Sequence, residues 1–161
     1  MNRLLKVNLA KLKKHWKNYF FQSLLAGLSV FLLMVVLQMK NIVVVASIGS
    51  TAFIVFSMPR EVTAKARNVI GGHLVGFACG ALWALIPSSY YFPPALSYSV
   101  AVGLSIFIMV VIDTEHPPAA GTALGVAISG YSTEVLISMF LSVVTLSLIH
   151  HFLKAYLKDL I

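Results

Sequence analysis

Residues 96–130 read LSYSVAVGLSIFIMVVIDTEHPPAAGTALGVAISG, a pattern that decides how this chain folds. The stretch begins with an apolar run, Leu96–Ile112, that is long enough to cross the hydrocarbon core of a bilayer as one helix. A polar break with two prolines ends that run, and a shorter apolar run follows at Ala119–Gly130. Because adjacent prolines cannot donate backbone hydrogen bonds, the chain must be extended or turned at the break. A new helix is expected to begin at Pro118 or Ala119.

Similar apolar runs occupy most of the remaining chain. They are Phe20–Met39, Ile42–Met58, Val69–Ile86 and Val135–Phe152. A membrane-spanning helix needs roughly 17–25 residues. Five of the six runs meet that length. The fifth in order, Ala119–Gly130, crosses only if the neighbouring break also lies at membrane depth.

The composition is typical of a membrane protein. Of the 161 residues, 59% are hydrophobic and 11% are charged, whereas soluble domains have about 45–50% apolar and about 25% charged residues. An ordinary soluble domain is excluded, because so few charged side chains cannot cover its surface. We therefore predict an all-α fold: a polytopic transmembrane helix bundle of about six hydrophobic segments, the fifth of them short or broken.

The positions of lysine and arginine distinguish between topologies, because loops that stay in the cytoplasm carry an excess of both. If all six runs cross and the N-terminus is cytoplasmic, every lysine and arginine except Lys40 lies on the cytoplasmic side. If the second and fifth runs are re-entrant, four spans remain and the basic loop at residues 60–67 moves outside. Six crossings fit better, so we predict a multi-pass protein of the cell membrane with both termini in the cytoplasm.

The first 18 residues are basic and amphipathic, with lysines and an arginine among apolar side chains at roughly helical spacing and no carboxylate. A nucleic-acid-binding arm or a transit peptide is the competing interpretation. The segment leads directly into a membrane-length run and lacks the serine and arginine bias of a transit sequence. We expect residues 1–18 to form a helix on the surface of an anionic leaflet, and residues 19–161 to form a single transmembrane domain.

The two halves of the chain share an order of segments. A long run, a segment of small residues and another long run occur in Phe20–Ile86 and again in Leu96–Phe152. If each half crosses an odd number of times, the halves form a 3+3 inverted repeat, which in transporters places the substrate near mid-membrane between broken helices. The similarity rests on a handful of small residues, so chance is the alternative.

Glycines at a spacing of four predict two helix faces where backbones approach closely. One face comprises Gly72, Gly76 and Gly80, and the other comprises Gly121 and Gly125. Helix packing is the favoured interpretation. Two such faces in a small protein also favour self-association, so we expect a homo-oligomer.

Polar residues precede the first glycine face. If a helix begins near Asn68, that side chain can cap free backbone amides, while Arg67 lies beside the positive end of the helix dipole. A positively charged side chain and unpaired backbone N–H groups at the start of one helix favour the binding of an anion. Alternatively, Arg67 and Lys65 only set the topology and His73 is a packing residue. For His73 a functional role is favoured, because a polar ring in hydrocarbon is unfavourable without one.

The break before the fifth run is a second candidate site. Irregular backbone at membrane depth is tolerated where it is buried in protein or lines a wet cavity, and here Pro117 and Pro118 interrupt the chain beside His116. The first free amides of the new helix are expected to point back toward His116 and Thr122.

Two carboxylates, Asp113 and Glu115, lie in the same break. They would bind a cation, relay protons, or form ion pairs with Arg60, Lys65 or Arg67, which share their side of the membrane if all six runs cross. These alternatives stay open.

No pattern indicates catalysis or a metal site. The histidines at 73, 116, 150 and 151 lack the spacing of a zinc-peptidase motif, and Cys79 is the single cysteine. No nucleophile–base pair or dinucleotide-binding glycine loop occurs in the sequence. We predict no enzymatic activity, no cofactor and no nucleic-acid partner.

Two blocks of the sequence resemble the HPP family of small integral membrane proteins, which is named for a His-Pro-Pro tripeptide. The blocks are Arg67-Asn68-Val69-Ile70-Gly71-Gly72-His73 and His116-Pro117-Pro118-Ala119. The resemblance covers nearly the whole chain from the first apolar run onward, and the two blocks together are quite specific. The family is commonly described with four spans, which differs from the six crossings predicted above.

The resemblance also implies an activity. Family members from photosynthetic organisms are linked to nitrite transport, so the resemblance implies that this chain carries nitrite or a similar ion. Residues 60–66 read REVTAKA where the family is often proline-rich, and this departure leaves the transported ion open.

We therefore expect a transporter or channel for a small inorganic anion, with its site between the two polar helix starts. Arg67 and the helix N-termini would supply positive potential. Hydrogen bonds would come from Asn68, Ser50, Thr51 and Thr122, while His73 and His116 would bind the anion or carry a proton. Two other classes stay open: a membrane scaffold without transport, and a proton or cation pathway through Asp113 and Glu115.

Overall fold

A computed structural model of the protein describes residues 3–37, 42–86 and 93–161, with side chains from residue 13 onward in the first range and from residue 44 onward in the second. Lys40, the basic residue predicted to lie on the opposite side of the membrane from the others, is outside the described residues. The side chains of the basic residues before Lys13, which belong to the predicted surface helix, are outside them too.

The described residues form six α-helices and one short 3-10 turn, and they contain no strand. The helices are α1 (Arg3–Leu37), α2 (Ile42–Ser57), α3 (Ala66–Ala84), α4 (Pro94–Val111), α5 (Pro117–Ser129) and α6 (Thr133–Leu153). The 3-10 turn, Val62–Ala64, leads into α3. The prediction of an all-α helical bundle with a short fifth segment is confirmed, since α5 has 13 residues.

Three stretches of the described chain are long and apolar enough to span a membrane: Lys13–Leu37, Pro94–Val111 and Thr133–Leu153. α2 is shorter, with an apolar part over Val44–Ser57. Since an α-helix rises 1.5 Å per residue, α5 covers about 20 Å, less than the hydrocarbon core of about 30 Å. α5 by itself is therefore too short to cross that core.

Large apolar side chains cover the outside of the bundle. Val36, Phe107 and Phe152, on three different helices, have exposed fractions of 72%, 65% and 72%. Contiguous apolar surface of this kind is typical of a face that contacts lipid. The described exterior is therefore suited to a bilayer.

Helix α1 consists of two helical parts that meet at His15, whose φ of −123° and ψ of 16° are not helical. The kink lies near the predicted boundary between a surface helix ending at residue 18 and the first span. The location of the part before His15 on the surface of a membrane leaflet stays a prediction.

Helices α3 and α5 pack backbone to backbone along the predicted glycine face. A β-carbon on Gly76 would lie 2.2 Å from the carbonyl oxygen of Ala119, and one on Gly80 would lie 2.5 Å from that of Ala123. From the Gly76–Ala119 contact to the Gly80–Ala123 contact, the residue number increases on both helices. α3 and α5 therefore run in the same direction.

The second predicted glycine face is also used inside the chain. A β-carbon on Gly121 would lie 3.5 Å from that of Ser47 on α2, and Gly125 is buried. Packing within one chain accounts for both faces, and self-association stays a prediction.

The start of the first span, the loop after α2 and the C-terminal tail meet at one end of the bundle. The Tyr19 hydroxyl donates to the Leu160 carbonyl (2.8 Å), and the Leu160 amide donates to the Ser57 carbonyl (2.9 Å). Arg60 and Asp159 form an ion pair of 4.0 Å. This arrangement agrees with six crossings, whereas the four-span alternative separates the 60–67 loop from the C-terminus.

Candidate functional site

His73 lies two turns into α3 and is fully buried. Its Nε2 atom is 2.8 Å from Thr51 Oγ1 of α2, and its Nδ1 atom is 2.8 Å from Thr122 Oγ1 of α5. One imidazole ring therefore connects the two short helices through hydrogen bonds at both nitrogens.

His116 immediately precedes α5 and has an exposed fraction of 1%. Its Nε2 atom is 3.0 Å from the same Thr51 hydroxyl, and its Nδ1 atom is 2.8 Å from the carbonyl oxygen of Thr63 in the 3-10 turn. The centroids of the His73 and His116 rings are 5.1 Å apart. The Thr51 hydroxyl thus lies between the two histidines.

Ser47 extends this network by one turn of α2. Its Oγ atom is 2.9 Å from Thr122 Oγ1 and also contacts the carbonyl oxygen of Pro118. The Thr51 hydroxyl is 3.0 Å from the Ser47 carbonyl. We name as the histidine cluster the five side chains of Ser47, Thr51, His73, His116 and Thr122, none of which is more than 4% exposed.

The sequence around the two histidines explains why they meet. A β-carbon on Gly72 would lie 2.8 Å from that of His116, and one on Gly71 would lie 3.0 Å from Thr114 Cγ2. The Asn68 side-chain amide donates to the Glu115 carbonyl (3.1 Å). The two glycines therefore leave the space that the break occupies, and Asn68 fixes the break against the start of α3.

Two expectations about helix starts are wrong. α3 begins at Ala66, with Lys65 before it, so Asn68 does not cap the helix and instead bonds to the break. At the start of α5, the two prolines have no N–H group and the Ala119 amide donates to the His116 carbonyl (2.8 Å). The first residues of α5 thus offer no free amide to a ligand, and the donors of the site are side chains.

Arg67 lies outside the histidine cluster. Its Nη1 atom is 2.7 Å from Asp113 Oδ2, and its Nη2 atom donates to the Ile112 carbonyl (2.8 Å). Both partners of the ion pair are mostly exposed, at 61% and 71%. Of the alternatives for Asp113, pairing with Arg67 is the one that the structure contains.

Two surface clefts flank the start of α5. The first, of about 580 Å³ between α2 and α5, is lined by Ser47, Ser50 and Pro118 among others. Ser50 is exposed there, and its hydroxyl donates within its own helix. The second, of about 320 Å³ between α4 and α5, is lined by Glu115 and His116 among others. The cluster therefore lies between two clefts and contributes a residue to each.

Within the described ranges, no group of three or more histidine, cysteine, aspartate or glutamate side chains is arranged to hold a metal ion. His150 instead lies with its Nε2 atom 2.7 Å from the Pro59 carbonyl, and Cys79 is a buried free thiol.

The whole arrangement can be compared with known proteins. The sequence pattern of the HPP transmembrane region matches residues 11–159, which is nearly the entire chain. This chain belongs to the HPP family. Both blocks that carry the resemblance, at residues 67–73 and 116–119, contribute a histidine to the cluster. The chain is therefore an HPP membrane protein, and the two motif histidines contact the same hydroxyl.

A transmembrane protein of Dictyostelium discoideum is 34% identical to this HPP protein over 84 residues. The matched part makes up 51% of this chain and 29% of that protein, so the chain spans less than a third of the length of this relative. No solved structure matches the chain.

Sequence reasoning found four members of the cluster and missed Ser47 and the carbonyl of Thr63. Ser47 and Thr51 lie four residues apart, on one face of α2, and this spacing was the available signal. A backbone carbonyl has no such signal, because every residue carries one.

Proposed function

We propose that this HPP protein transports a small inorganic anion, either nitrite or an ion of similar size and charge, through the histidine cluster. The observation that carries the proposal is the burial of five side chains that form one hydrogen-bonded cluster within a largely apolar bundle. Polar groups inside a membrane are unfavourable and commonly mark the path of a substrate. The choice of nitrite as the transported ion rests on the resemblance to family members that are linked to nitrite transport.

The donors for the anion are the side chains of the cluster. Imidazole N–H and hydroxyl groups can donate to nitrite oxygens without the tight binding of a fully charged site, which suits a solute that must also leave. The described donors bond to each other. An entering anion would replace the contact between Ser47 and Thr122.

The cleft between α2 and α5 supplies an entry route. Ser47 lies on its wall, and a small movement of α2 away from α5 would separate Ser47 from Pro118 and Thr122 of α5 and would separate Thr51 from His116. Transporters bind substrates by shifting between such packed and opened states. The positive net charge of the chain, +7, with Lys65 and Arg67 exposed near the start of α3, attracts anions to this end.

Uptake into proteoliposomes tests the proposal. We expect the purified protein to admit nitrite faster than protein-free vesicles do, and His116→Ala to reduce uptake to that background. His151→Ala is the matched control, because His151 is exposed on α6 outside the cluster and its loss should leave uptake unchanged. If the unmodified protein admits nitrite, nitrate and formate no faster than empty vesicles, the proposal is wrong.

A membrane scaffold without transport is the second candidate. It is favoured by the closure of the cluster, in which described protein atoms already provide hydrogen-bond partners for all five side chains. In that case His116→Ala should lower the thermal stability of the protein in detergent while no anion flux exists to be lost. Measuring stability and flux on the same preparation separates the two functions.

A further inference from the structure

Three backbone carbonyls, of Ser47, Thr63 and Pro118, restrict the positions of the hydrogens in the histidine cluster. The carbonyl oxygen of Thr63 can only accept, so the Nδ1 atom of His116 at 2.8 Å must carry a proton. A neutral imidazole has one N–H group, which leaves the Nε2 atom of His116 as an acceptor. Its contact at 3.0 Å is Thr51 Oγ1. The one hydrogen of that hydroxyl has two acceptors at 3.0 Å, the Ser47 carbonyl and His116 Nε2.

One complete arrangement directs the Thr51 hydrogen to His116 instead of the Ser47 carbonyl. With its proton directed to His116, the Thr51 oxygen accepts from Nε2 of His73. Neutral His73 then accepts at Nδ1 from the Thr122 hydroxyl, and the Thr122 oxygen accepts from the Ser47 hydroxyl. The result is an unbroken chain in one direction, with donors running from Ser47 through Thr122, His73, Thr51 and His116 to the Thr63 carbonyl. This arrangement requires the Ser47 hydrogen to point to Thr122 and away from the Pro118 carbonyl, which the same hydroxyl contacts.

An extra proton on His73 gives a second complete arrangement. His73 would then donate at Nδ1 to Thr122, Thr122 to Ser47, and Ser47 to the carbonyl oxygen of Pro118, a contact that is present in the structure. The other half of the chain is unchanged. The same heavy-atom positions therefore accommodate both arrangements, which differ in the orientation of the hydroxyl hydrogens and in the added proton.

The two ends of the chain reach different surfaces. Ser47 and Pro118 line the cleft between α2 and α5, whereas Thr63 lies partly exposed in the 3-10 turn before α3. The charged groups near the second end are Lys65, Arg67, Asp113 and Glu115. None of these four side chains has a described hydrogen bond to the cluster, so the chain itself consists of hydroxyl and imidazole groups.

We propose that the histidine cluster conducts protons between the α2–α5 cleft and the 3-10 turn, as the coupling ion of the anion transport proposed above. A proton from water binds Ser47 Oγ, and each group passes its own proton onward until His116 receives one at Nε2. His116 then releases its Nδ1 proton to water beside Thr63. One proton enters and one leaves, and the hydroxyls and imidazoles must reorient before the next passage.

The test targets Thr51, since its hydroxyl is the connection between the two rings. Thr51→Val keeps the shape of the side chain and removes the hydroxyl, whereas the control Thr51→Ser keeps the hydroxyl. Proteoliposomes with a trapped pH-sensitive dye are exposed to a pH difference, with potassium and valinomycin to balance charge, and with or without nitrite. We expect proton uptake to fall to that of protein-free vesicles in Thr51→Val and to persist in Thr51→Ser.

Nitrite uptake is measured separately at equal pH on both sides. Proton uptake in Thr51→Val at the rate of the unmodified protein overturns the relay and leaves the anion proposal intact. Proton uptake without any nitrite uptake supports the relay through the cluster, but it overturns the anion proposal and with it the role of the proton as a coupling ion. If neither ion moves, both proposals are wrong.

Two further measurements keep the result decisive if Thr51→Val fails to fold. Thr122→Val, with Thr122→Ser as its control, interrupts the same chain on the other side of His73. The unmodified protein should also take up deuterons from D₂O more slowly than protons from H₂O, because a proton moves at every step. Equal rates would contradict the relay without the use of any variant.

Discussion

A single oxygen atom, Thr51 Oγ1, lies within 3.0 Å of both motif histidines and holds α3, the break before α5 and α2 together. Arg67 belongs to the same family motif as His73 but lies at the surface. Its side chain contacts Asp113, which adopts a φ of 57°. Two residues of one short motif thus serve different parts of the molecule, one in the buried cluster and one at the end of α4.

The first prediction concerns the ion pair between Arg67 and Asp113. Because both side chains are mostly exposed, their coupling free energy should be below about 1 kcal/mol. The measurement is a double-mutant cycle of Arg67→Gln and Asp113→Asn on the free energy of unfolding in detergent. Asparagine is suitable because it tolerates the positive φ at this position. The coupling free energy should fall further when salt is added. A coupling free energy of several kcal/mol that does not change with salt would contradict the prediction.

At the scale of elements, the contact between α3 and α5 determines the site. α5 is too short to span a bilayer by itself, and the glycines of α3 allow its first turn to lie against the backbone beside His73. Small residues drive such contacts in membranes, where van der Waals packing replaces the hydrophobic effect as the force between helices.

The second prediction tests this packing. Gly76→Ala should destabilise the protein by about 1–3 kcal/mol or more, because the new methyl group would overlap the Ala119 carbonyl and the backbones must separate. Gly27→Ala on α1 is the matched control: a β-carbon there meets nothing within 4 Å, and alanine favours a helix by about 1 kcal/mol over glycine. Thermal unfolding of both variants in detergent gives the comparison. Equal effects would show that α3 and α5 do not pack as described.

The helices could be predicted from the sequence because apolar runs and paired prolines are local signals. The two blocks at residues 67–73 and 116–119 contain the two histidines that the structure brings together. The contacts of individual side chains could not be predicted, since they depend on which helix faces meet. Asn68 was expected to cap α3, but α3 starts earlier and the side chain reaches Glu115. Ser47 belongs to the cluster because α2 packs against α5 at Pro118 and Thr122.

At the scale of the whole molecule, one end of the bundle collects many of the charged residues that the structure describes. Arg60 pairs with Asp159 of the C-terminal tail, and Arg67 pairs with Asp113 of the break. Gln22 of α1 bonds to the Lys158 backbone through both its amide nitrogen and its oxygen. Leu157, fully buried, anchors the same tail. The loops at this end thus stabilise one another through contacts that are distant in sequence.

The third prediction is that these loops face the same side of the membrane. Single cysteines introduced as Lys65→Cys and Lys158→Cys, in a chain with Cys79→Ala, should react with a membrane-impermeant thiol reagent only when cells are opened, since excess lysine and arginine favours the cytoplasm. Lys40→Cys should react in intact cells if all six runs cross. In a four-span topology Lys65→Cys would instead react in intact cells while Lys158→Cys stayed protected. That outcome would separate two loops that the ion pair between Arg60 and Asp159 brings together, so it would contradict both the topology and the packing of the tail.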